Sequence, residues 1–235
     1  MGLYIKQLRA GRDFAKNDAF ASGMANFVYV MGDGDSRKCM VVDPAWDVPG
    51  ILNFIENEDM ELVGALATHY HPDHVGGDLF GYKIAGLSQL LSLKPVKVHV
   101  NRLEGEGLRL VTGVSSSDLE EHEGGDEIEI GNIKVKLLHT PGHTPGSQCF
   151  LVEGNLVSGD TLFIGGCGRV DLPGGNAEDM YRSLTQVLGN LPDETMLYPG
   201  HDYASKIVST IGEEKMENYC FRVSGLDSWL KLMGK

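Results

Sequence analysis

A dense run of potential metal ligands, Thr68-His69-Tyr70-His71-Pro72-Asp73-His74, follows a predicted buried strand. Its first two histidines are two residues apart, so an extended backbone points both imidazoles to the same side. Pro72 bends the chain and brings the following Asp-His pair round towards that side. A single histidine in such a loop is most often a turn residue. Three histidines and an aspartate at this spacing instead predict a metal site.

Three further motifs follow predicted strands in the same way. They are Thr140-Pro141-Gly142-His143, Ser158-Gly159-Asp160-Thr161 and Pro199-Gly200-His201-Asp202-Tyr203. A Pro-Gly-His turn taken alone is most often just a turn. Together the motifs place two more histidines and an aspartate on strand-end loops, where sites in layered α/β folds usually form.

This set of side chains suits a particular chemistry. Neutral imidazoles and carboxylates bind Zn²⁺, Fe²⁺ or Mn²⁺, and affinity alone does not select among these ions. Two such ions roughly 3.5–4 Å apart can hold a bridging hydroxide whose pKa is lowered to around 7. One ion then polarises a carbonyl while the hydroxide attacks it, and a departing thiolate is stabilised without a protein acid.

Apolar patterning predicts the elements that position these motifs. Mixed antiparallel and crossover connections between them indicate a layered α/β fold. Asn176 is predicted to cap a helix, because two acidic residues fall in the first turn after it. The other predicted helices and strands are helices over 48–58 and 84–93 and strands over 27–31, 39–42, 62–67, 96–100, 127–130, 133–138, 151–157 (two strands and a turn) and 195–198.

The combined motifs resemble those of the metallo-β-lactamase superfamily over about residues 26–203. The resemblance implies a single domain over 1–235, folded as a four-layer αββα sandwich with two divalent ions at one edge of the sheets. Zn²⁺ is the favoured ion, with Fe or Mn as alternatives. The residues implied for the site are His69, His71 and His143 on the first ion, Asp73, His74 and His201 on the second, Asp160 bridging both, Asp73 and Asp160 as catalytic groups, and Asp43 supporting the ligands from behind.

Within the superfamily, the segments 159–164 and 166–169 resemble glyoxalase II and its bacterial relatives, which hydrolyse glutathione thioesters. That resemblance assigns substrate contacts to Arg169 and Tyr203. Asp171 departs from it, because the glyoxalase pattern has an aromatic residue there. The expected function is therefore hydrolysis of a small thioester or related acyl substrate, for which a glutathione derivative is one candidate.

Three alternatives stay open at this stage. Persulfide dioxygenases share Cys167-Gly168-Arg169-x-Asp171 and the pattern of residues 208–215. They would use one iron held by His69, His143 and Asp160, a two-histidine, one-carboxylate triad. This branch also retains the other ligand-type residues, so the seven positions do not decide between the two functions. The segment 171–176 matches the generic bacterial hydrolases better. A ribonuclease Z-like nuclease and a non-catalytic metal-binding module rank below both.

Composition and charge argue against several partners and locations. The 235 residues carry a formal charge of −13, with 20 Lys and Arg against 33 Asp and Glu, which argues against a nucleic-acid partner. We see no apolar run that could cross a bilayer and no signal peptide, so the expected location is the cytoplasm. The four cysteines are expected to be free thiols. The remaining histidines, His99, His122 and His139, are expected to be structural, with His99 on the exposed side of its strand.

Overall fold

In a computed structural model, which describes residues 2–234, a six-stranded sheet occupies the amino-terminal half of the chain. Its strand order is β1-β2-β3-β4-β7-β8. The parallel strands β3, β4, β7 and β8 end at the same edge of this sheet. The strands are β1 (Leu3–Arg9), β2 (Phe27–Asp33), β3 (Lys38–Val42), β4 (Glu61–Leu66), β7 (Lys97–Asn101) and β8 (Leu119–His122).

A second six-stranded sheet follows, in the order β16-β15-β12-β11-β10-β9. Its strands β12 and β15 are parallel neighbours, while β9 to β12 form an antiparallel meander. The strands are β9 (Glu127–Ile130), β10 (Ile133–His139), β11 (Gln148–Val152), β12 (Asn155–Gly159), β15 (Met196–Pro199) and β16 (Ser209–Thr210).

Helices and two short hairpins complete the chain. The hairpins pair β5 (Gly77–Leu79) with β6 (Tyr82–Ile84) and β13 (Leu162–Phe163) with β14 (Gly166–Cys167). After α6 the helix continues through a π-helical turn to Val187 and a short 3-10 turn to Asn190. The helices are α1 (Ala19–Met24), α2 (Val48–Asn57), α3 (Pro72–Val75), α4 (Leu87–Leu93), α5 (Gly105–Thr112), α6 (Ala177–Arg182), α7 (Ile211–Glu217) and α8 (Leu226–Leu232).

Successive side chains along a strand point to opposite faces of the sheet, and this explains the four layers. In β2, Phe27 and Tyr29 pack between the two sheets, whereas Val28 packs against the helices outside. Because both faces are covered, the strand is apolar throughout rather than alternating. The outer face of the first sheet is covered by α2, α4 and α5, and that of the second by α6, α7 and α8. The αββα sandwich expected from the sequence is therefore confirmed.

The predicted strands, the helix over 48–58 and the Asn176 cap are also confirmed. Asn176 accepts hydrogen bonds from the backbone N–H groups of Glu178 and Asp179. The expectation for His99 is wrong. Its side chain is buried against His122 of β8, because β7 is an interior strand. All four cysteines are free thiols, and no helix within residues 2–234 is long and apolar enough to span a membrane.

Candidate metal centre

The predicted ligands follow the carboxyl ends of strands from both sheets. The loop after β4 carries the His-x-His-x-Asp-His run, and Asp43 directly follows its parallel neighbour β3. In the second sheet, His143 follows β10, Asp160 follows β12 and His201 follows β15. Since β12 and β15 are parallel neighbours, their last residues are adjacent, and the ends of both sheets converge on one site.

Three imidazoles form what we call the first cluster, His69, His71 and His143. The Nδ1 atom of His71 lies 3.1 Å from His69 Nε2 and 2.9 Å from His143 Nε2. Their rings stand nearly perpendicular to one another, with centroids 4.6–4.8 Å apart. Three ring nitrogens therefore converge on a single point, as ligands of one ion would.

The second cluster consists of Asp73, His74 and His201. Pro72 starts the short helix α3, which turns the first two of these residues back towards the strand ends. His74 Nε2 lies 3.2 Å from His201 Nε2, and Asp73 Oδ2 lies 3.4 Å from the first nitrogen and 3.5 Å from the second. Two nitrogens and a carboxylate oxygen thus converge beside the first cluster.

Asp160 lies between the two clusters. Its Oδ2 atom is 3.6 Å from His143 Nε2 of the first cluster and 3.5 Å from His201 Nε2 of the second. Its Oδ1 atom lies 3.3 Å from His74 Nε2, yet it is buried and makes no hydrogen bond with the described residues. A buried carboxylate oxygen without a hydrogen bond is costly, and a cation would satisfy it.

Outer contacts of the imidazoles decide which nitrogens face the centre. Nδ1 of His143 donates to the carbonyl of Arg169, and Nδ1 of His201 donates to the carbonyl of Met24, both at 2.8 Å. Nδ1 of His74 donates to Asp43 Oδ2 at 2.9 Å. In the neutral rings these bonds leave each Nε2 as a lone pair, so the 3.2 Å approach of two Nε2 atoms has no proton between them. Such a set of facing lone pairs fits a bound metal ion.

The electrostatics of the two clusters differ. Burial would lower the pKa of His74 and of His201, but Asp160 and Asp73 outweigh it and raise both. Burial, reinforced by the neighbouring imidazoles, holds the pKa of His69 well below its ordinary value. Burial likewise lowers the pKa of His71 to about 4. Burial would raise the pKa of Asp160, but His201 and His74 hold that pKa well below its ordinary value. The first cluster therefore favours neutral imidazoles beside an ionised carboxylate, which is the state that binds metals.

Asp43 lies behind the ligands, where the sequence predicted it. Besides its contact with His74, its carboxylate accepts hydrogen bonds from the backbone N–H of Thr68 at 2.8 Å and from the hydroxyl of Thr68 at 2.7 Å. The Thr68 oxygen in turn lies 2.9 Å from His69 Nδ1. One buried carboxylate therefore orients a histidine from each cluster.

Two positioning residues escaped the sequence analysis. The first is Asn26, a buried side chain that donates to Asp73 Oδ2 at 2.9 Å and accepts from the indole N–H of Trp46 at 3.1 Å. Asn26 precedes β2, and its partners lie 47 and 20 residues away in sequence. No local pattern signals such a contact.

The second is Glu104, which is fully buried at the end of the loop after β7. Its carboxylate accepts hydrogen bonds from Tyr70 N at 2.8 Å, from Thr144 Oγ1 at 2.8 Å and from Gly146 N at 2.6 Å. Glu104 therefore joins the two loops that carry the first cluster. Burial raises the pKa of this carboxyl despite these three donors.

The two predicted substrate residues lie at the rim of the site. Tyr203 is 58% exposed and stacks on the His201 ring at 4.6 Å, with an angle of 13° between the planes. Arg169 is exposed and makes a bidentate ion pair with Asp171, in which both N···O distances are 2.9 Å. Both side chains are thus accessible to a ligand.

Comparison with known proteins agrees with this geometry. The family model described as "Metallo-beta-lactamase superfamily" matches residues 22–201, which include all seven predicted ligands. The chain belongs to the metallo-beta-lactamase superfamily. It is 32% identical to the human mitochondrial persulfide dioxygenase ETHE1 over 229 residues, covering 96% of this chain and 82% of the human protein.

Of two further relatives of this superfamily member, one carries a different name and the other is a second ETHE1 protein. A probable hydroxyacylglutathione hydrolase of Schizosaccharomyces pombe is 32% identical over 208 residues, covering 86% of this chain and 73% of the yeast protein. The crystal structure of ETHE1 from Myxococcus xanthus superposes with a TM-score of 0.80 at 29% identity, covering 99% of this chain and 90% of that one. The family is thus settled, while its named members perform different reactions.

Proposed function

We propose that the protein is a two-metal hydrolase that cleaves a small thioester or a related acyl substrate. The observation that carries this proposal is the pair of adjacent, largely buried ligand clusters with Asp160 between them. The second cluster, with its own supporting residues Asp43 and Asn26, is what a two-ion site requires.

The side chains of this chain would hold the two ions and keep their ligands in one protonation state. When bound, such ions polarise a carbonyl and lower the pKa of a coordinated water. Hydrogen bonds to the carbonyls of Arg169 and Met24 hold His143 and His201 with Nε2 facing inwards. Asp73 and Asp160 would contribute the negative charge that offsets the cations. A thiol leaving group departs as a thiolate and needs no protein acid.

The rim suggests how a substrate would be held. The Arg169 guanidinium is exposed and could bind a carboxylate, since guanidinium and carboxylate match in geometry. Tyr203 offers an aromatic face and a hydroxyl beside His201. A thioester of glutathione or of another carboxylate-bearing thiol fits this rim, and the resemblance to hydroxyacylglutathione hydrolases supports that class.

Persulfide dioxygenation with one iron is the second candidate. It is favoured by the human and Myxococcus xanthus relatives, which are matched over nearly the whole of this chain. The iron would be held by His69, His143 and Asp160, leaving positions open for oxygen and substrate. The Arg169–Asp171 ion pair joins the two residues that the sequence shares with this branch.

One pair of assays separates the candidates. Protein loaded with zinc and protein loaded anaerobically with ferrous iron are each tested against a panel of glutathione thioesters and against glutathione persulfide with an oxygen electrode. The proposal predicts thioester turnover with no oxygen uptake. Oxygen uptake that depends on persulfide and on iron, with no thioester cleavage by either form, would establish the second candidate instead.

A further inference from the structure

A second group of ligand-type side chains lies on the first sheet, outside the centre described above. His99 on β7 is paired with Glu120 on β8, and His122 follows Glu120 by two residues. Residues two apart on a strand share a face of the sheet, as do paired residues on neighbouring strands. We refer to His99, Glu120 and His122 as the edge cluster, because β8 is the last strand of its sheet.

The distances within the edge cluster suit a metal ion. His99 Nδ1 lies 2.9 Å from His122 Nε2 and 3.9 Å from Glu120 Oε2. The two imidazoles share a hydrogen bond and lie edge to edge, with centroids 5.2 Å apart and 23° between their planes. A tetrahedral Zn²⁺ with bonds of about 2.0–2.1 Å holds its ligand atoms about 3.3 Å apart. The observed separations lie on either side of that value, so small side-chain shifts would complete the site.

The outer contacts of His122 also match those of a ligand. Its second ring nitrogen, Nδ1, faces Asp126 Oδ2 at 3.8 Å, and that carboxylate is held by the backbone N–H of Glu123 at 2.9 Å. Histidines that bind metals usually donate from their other ring nitrogen to a carboxylate, and a small shift would bring Asp126 within hydrogen-bond distance. Burial lowers the pKa of His99 despite the nearby Glu120, which keeps its ring neutral and able to coordinate.

Charge at this edge favours a cation. The segment 119–127, Leu-Glu-Glu-His-Glu-Gly-Gly-Asp-Glu, contains five carboxylates and no lysine or arginine. Arg102 pairs with Glu123 and Lys134 pairs with Glu127, so two of the five are offset. A divalent ion would reduce the repulsion among the remaining carboxylates.

We propose that the edge cluster binds one further divalent ion of the zinc type, with His99, His122 and Glu120 as its protein ligands and solvent completing the shell. The ion would join the edge strand β8 to β7, in addition to the backbone pairing along four residues. It would therefore stabilise the sheet rather than take part in the reaction. This inference does not depend on the proposed function.

Metal content of matched variants tests the proposal. Wild-type protein, His122→Asn and the exposed control Glu129→Gln are dialysed to equilibrium against micromolar Zn²⁺, and bound zinc and protein are then measured. We expect wild type and Glu129→Gln to bind one more ion per chain than His122→Asn, with unchanged turnover in all three. Equal zinc content in wild type and His122→Asn would overturn the proposal.

A second measurement separates loss of the edge-cluster ion from a folding defect in the variant. His99→Gln and His122→Asn should keep the two ions of the main centre and a wild-type circular dichroism spectrum. An anomalous difference map from zinc-soaked crystals of the wild type should show a peak between the His99 and His122 rings. Absence of that peak at full occupancy of the main centre would also overturn the proposal.

Discussion

At the scale of single residues, the centre depends on the protonation of its imidazoles and on one shared carboxylate. Each of His74, His143 and His201 donates its Nδ1 proton to an oxygen outside the centre. Asp160 is within 3.6 Å of histidines from both clusters and has one oxygen with no hydrogen bond. This carboxylate is therefore the side chain whose removal should affect both ions.

We expect Asp160→Ala to lower the metal content and to reduce turnover to background. Removing the carboxylate leaves buried imidazoles without the charge that favours two cations. Metal analysis and initial rates on the same preparation provide the measurement. Asp202→Ala is the control, because Asp202 lies in the same loop as His201 but pairs with Arg9 instead. Near-wild-type turnover by Asp160→Ala would refute the two-ion arrangement.

Arg169 separates substrate binding from metal binding. Its carbonyl holds His143, while its exposed guanidinium pairs with Asp171. Arg169→Ala should keep both ions, because the carbonyl remains. Loss of one charged contact to substrate should raise KM for a carboxylate-bearing thioester about tenfold. Arg182→Ala, which removes an exposed ion pair on α6, is the control. An unchanged KM would leave Arg169 with a structural role only.

At the scale of elements, the site depends on loops from distant parts of the chain being held against one another. Glu104 joins the loop after β4 to the loop after β10 through three hydrogen bonds. Gly146 has no side chain where this carboxylate approaches, since a Cβ there would lie 2.8 Å from Glu104 Oε1. The first cluster therefore depends on Glu104, although none of the three hydrogen bonds of Glu104 reaches an imidazole.

Glu104→Ala should destabilise the fold and weaken metal binding together. The substitution leaves buried donors of Tyr70, Thr144 and Gly146 without an acceptor, at a cost of about 1–3 kcal/mol for each donor. Loss of such outer support typically lowers metal affinity about 10- to 100-fold. Urea denaturation and competition with a zinc chelator give the two values. Glu106→Ala, at an exposed position on the same helix, should change neither. Wild-type zinc affinity in Glu104→Ala would contradict the clamping role.

Local spacing predicted some of the site residues, whereas contacts between distant elements could not be predicted from the sequence. The His-x-His-x-Asp-His run and the strand-end positions of His143 and His201 were predictable, because local spacing and strand ends signal them. Glu104 and Asn26 were not, since their partners lie 20 to 47 residues away and no local pattern links them. The prediction for His99 was wrong because alternating valines suggested an exposed face, whereas β7 is an interior strand and the His99 imidazole is buried against His122 of β8.

At the scale of the whole molecule, the metal centre joins the two sheets at one edge of the sandwich. Its ligands come from loops of both sheets, so bound ions would act as cross-links between them. A ligand that binds only the folded state stabilises it by about 2.7 kcal/mol at a concentration one hundred times its Kd. The centre should therefore contribute to the stability of the entire fold.

Chelation should lower the melting temperature of the protein. For a chain of this size a stabilisation of that order corresponds to roughly 5–10 °C in Tm. Scanning calorimetry of zinc-loaded and chelator-treated protein gives the shift. The comparison is best made on His122→Asn, so that the edge cluster does not contribute. Identical melting temperatures would mean that the ions do not stabilise the folded state.

The most direct test of the two-ion centre is anomalous X-ray diffraction from crystals of the protein as purified. Difference maps recorded at the zinc and iron absorption edges both identify the ions and locate them. The proposed arrangement predicts two peaks roughly 3.5–4 Å apart, one beside His71 and one beside His201, with the Asp160 carboxylate between them. A single iron peak beside His69 and His143, with the second cluster empty at full occupancy of the first, would contradict it.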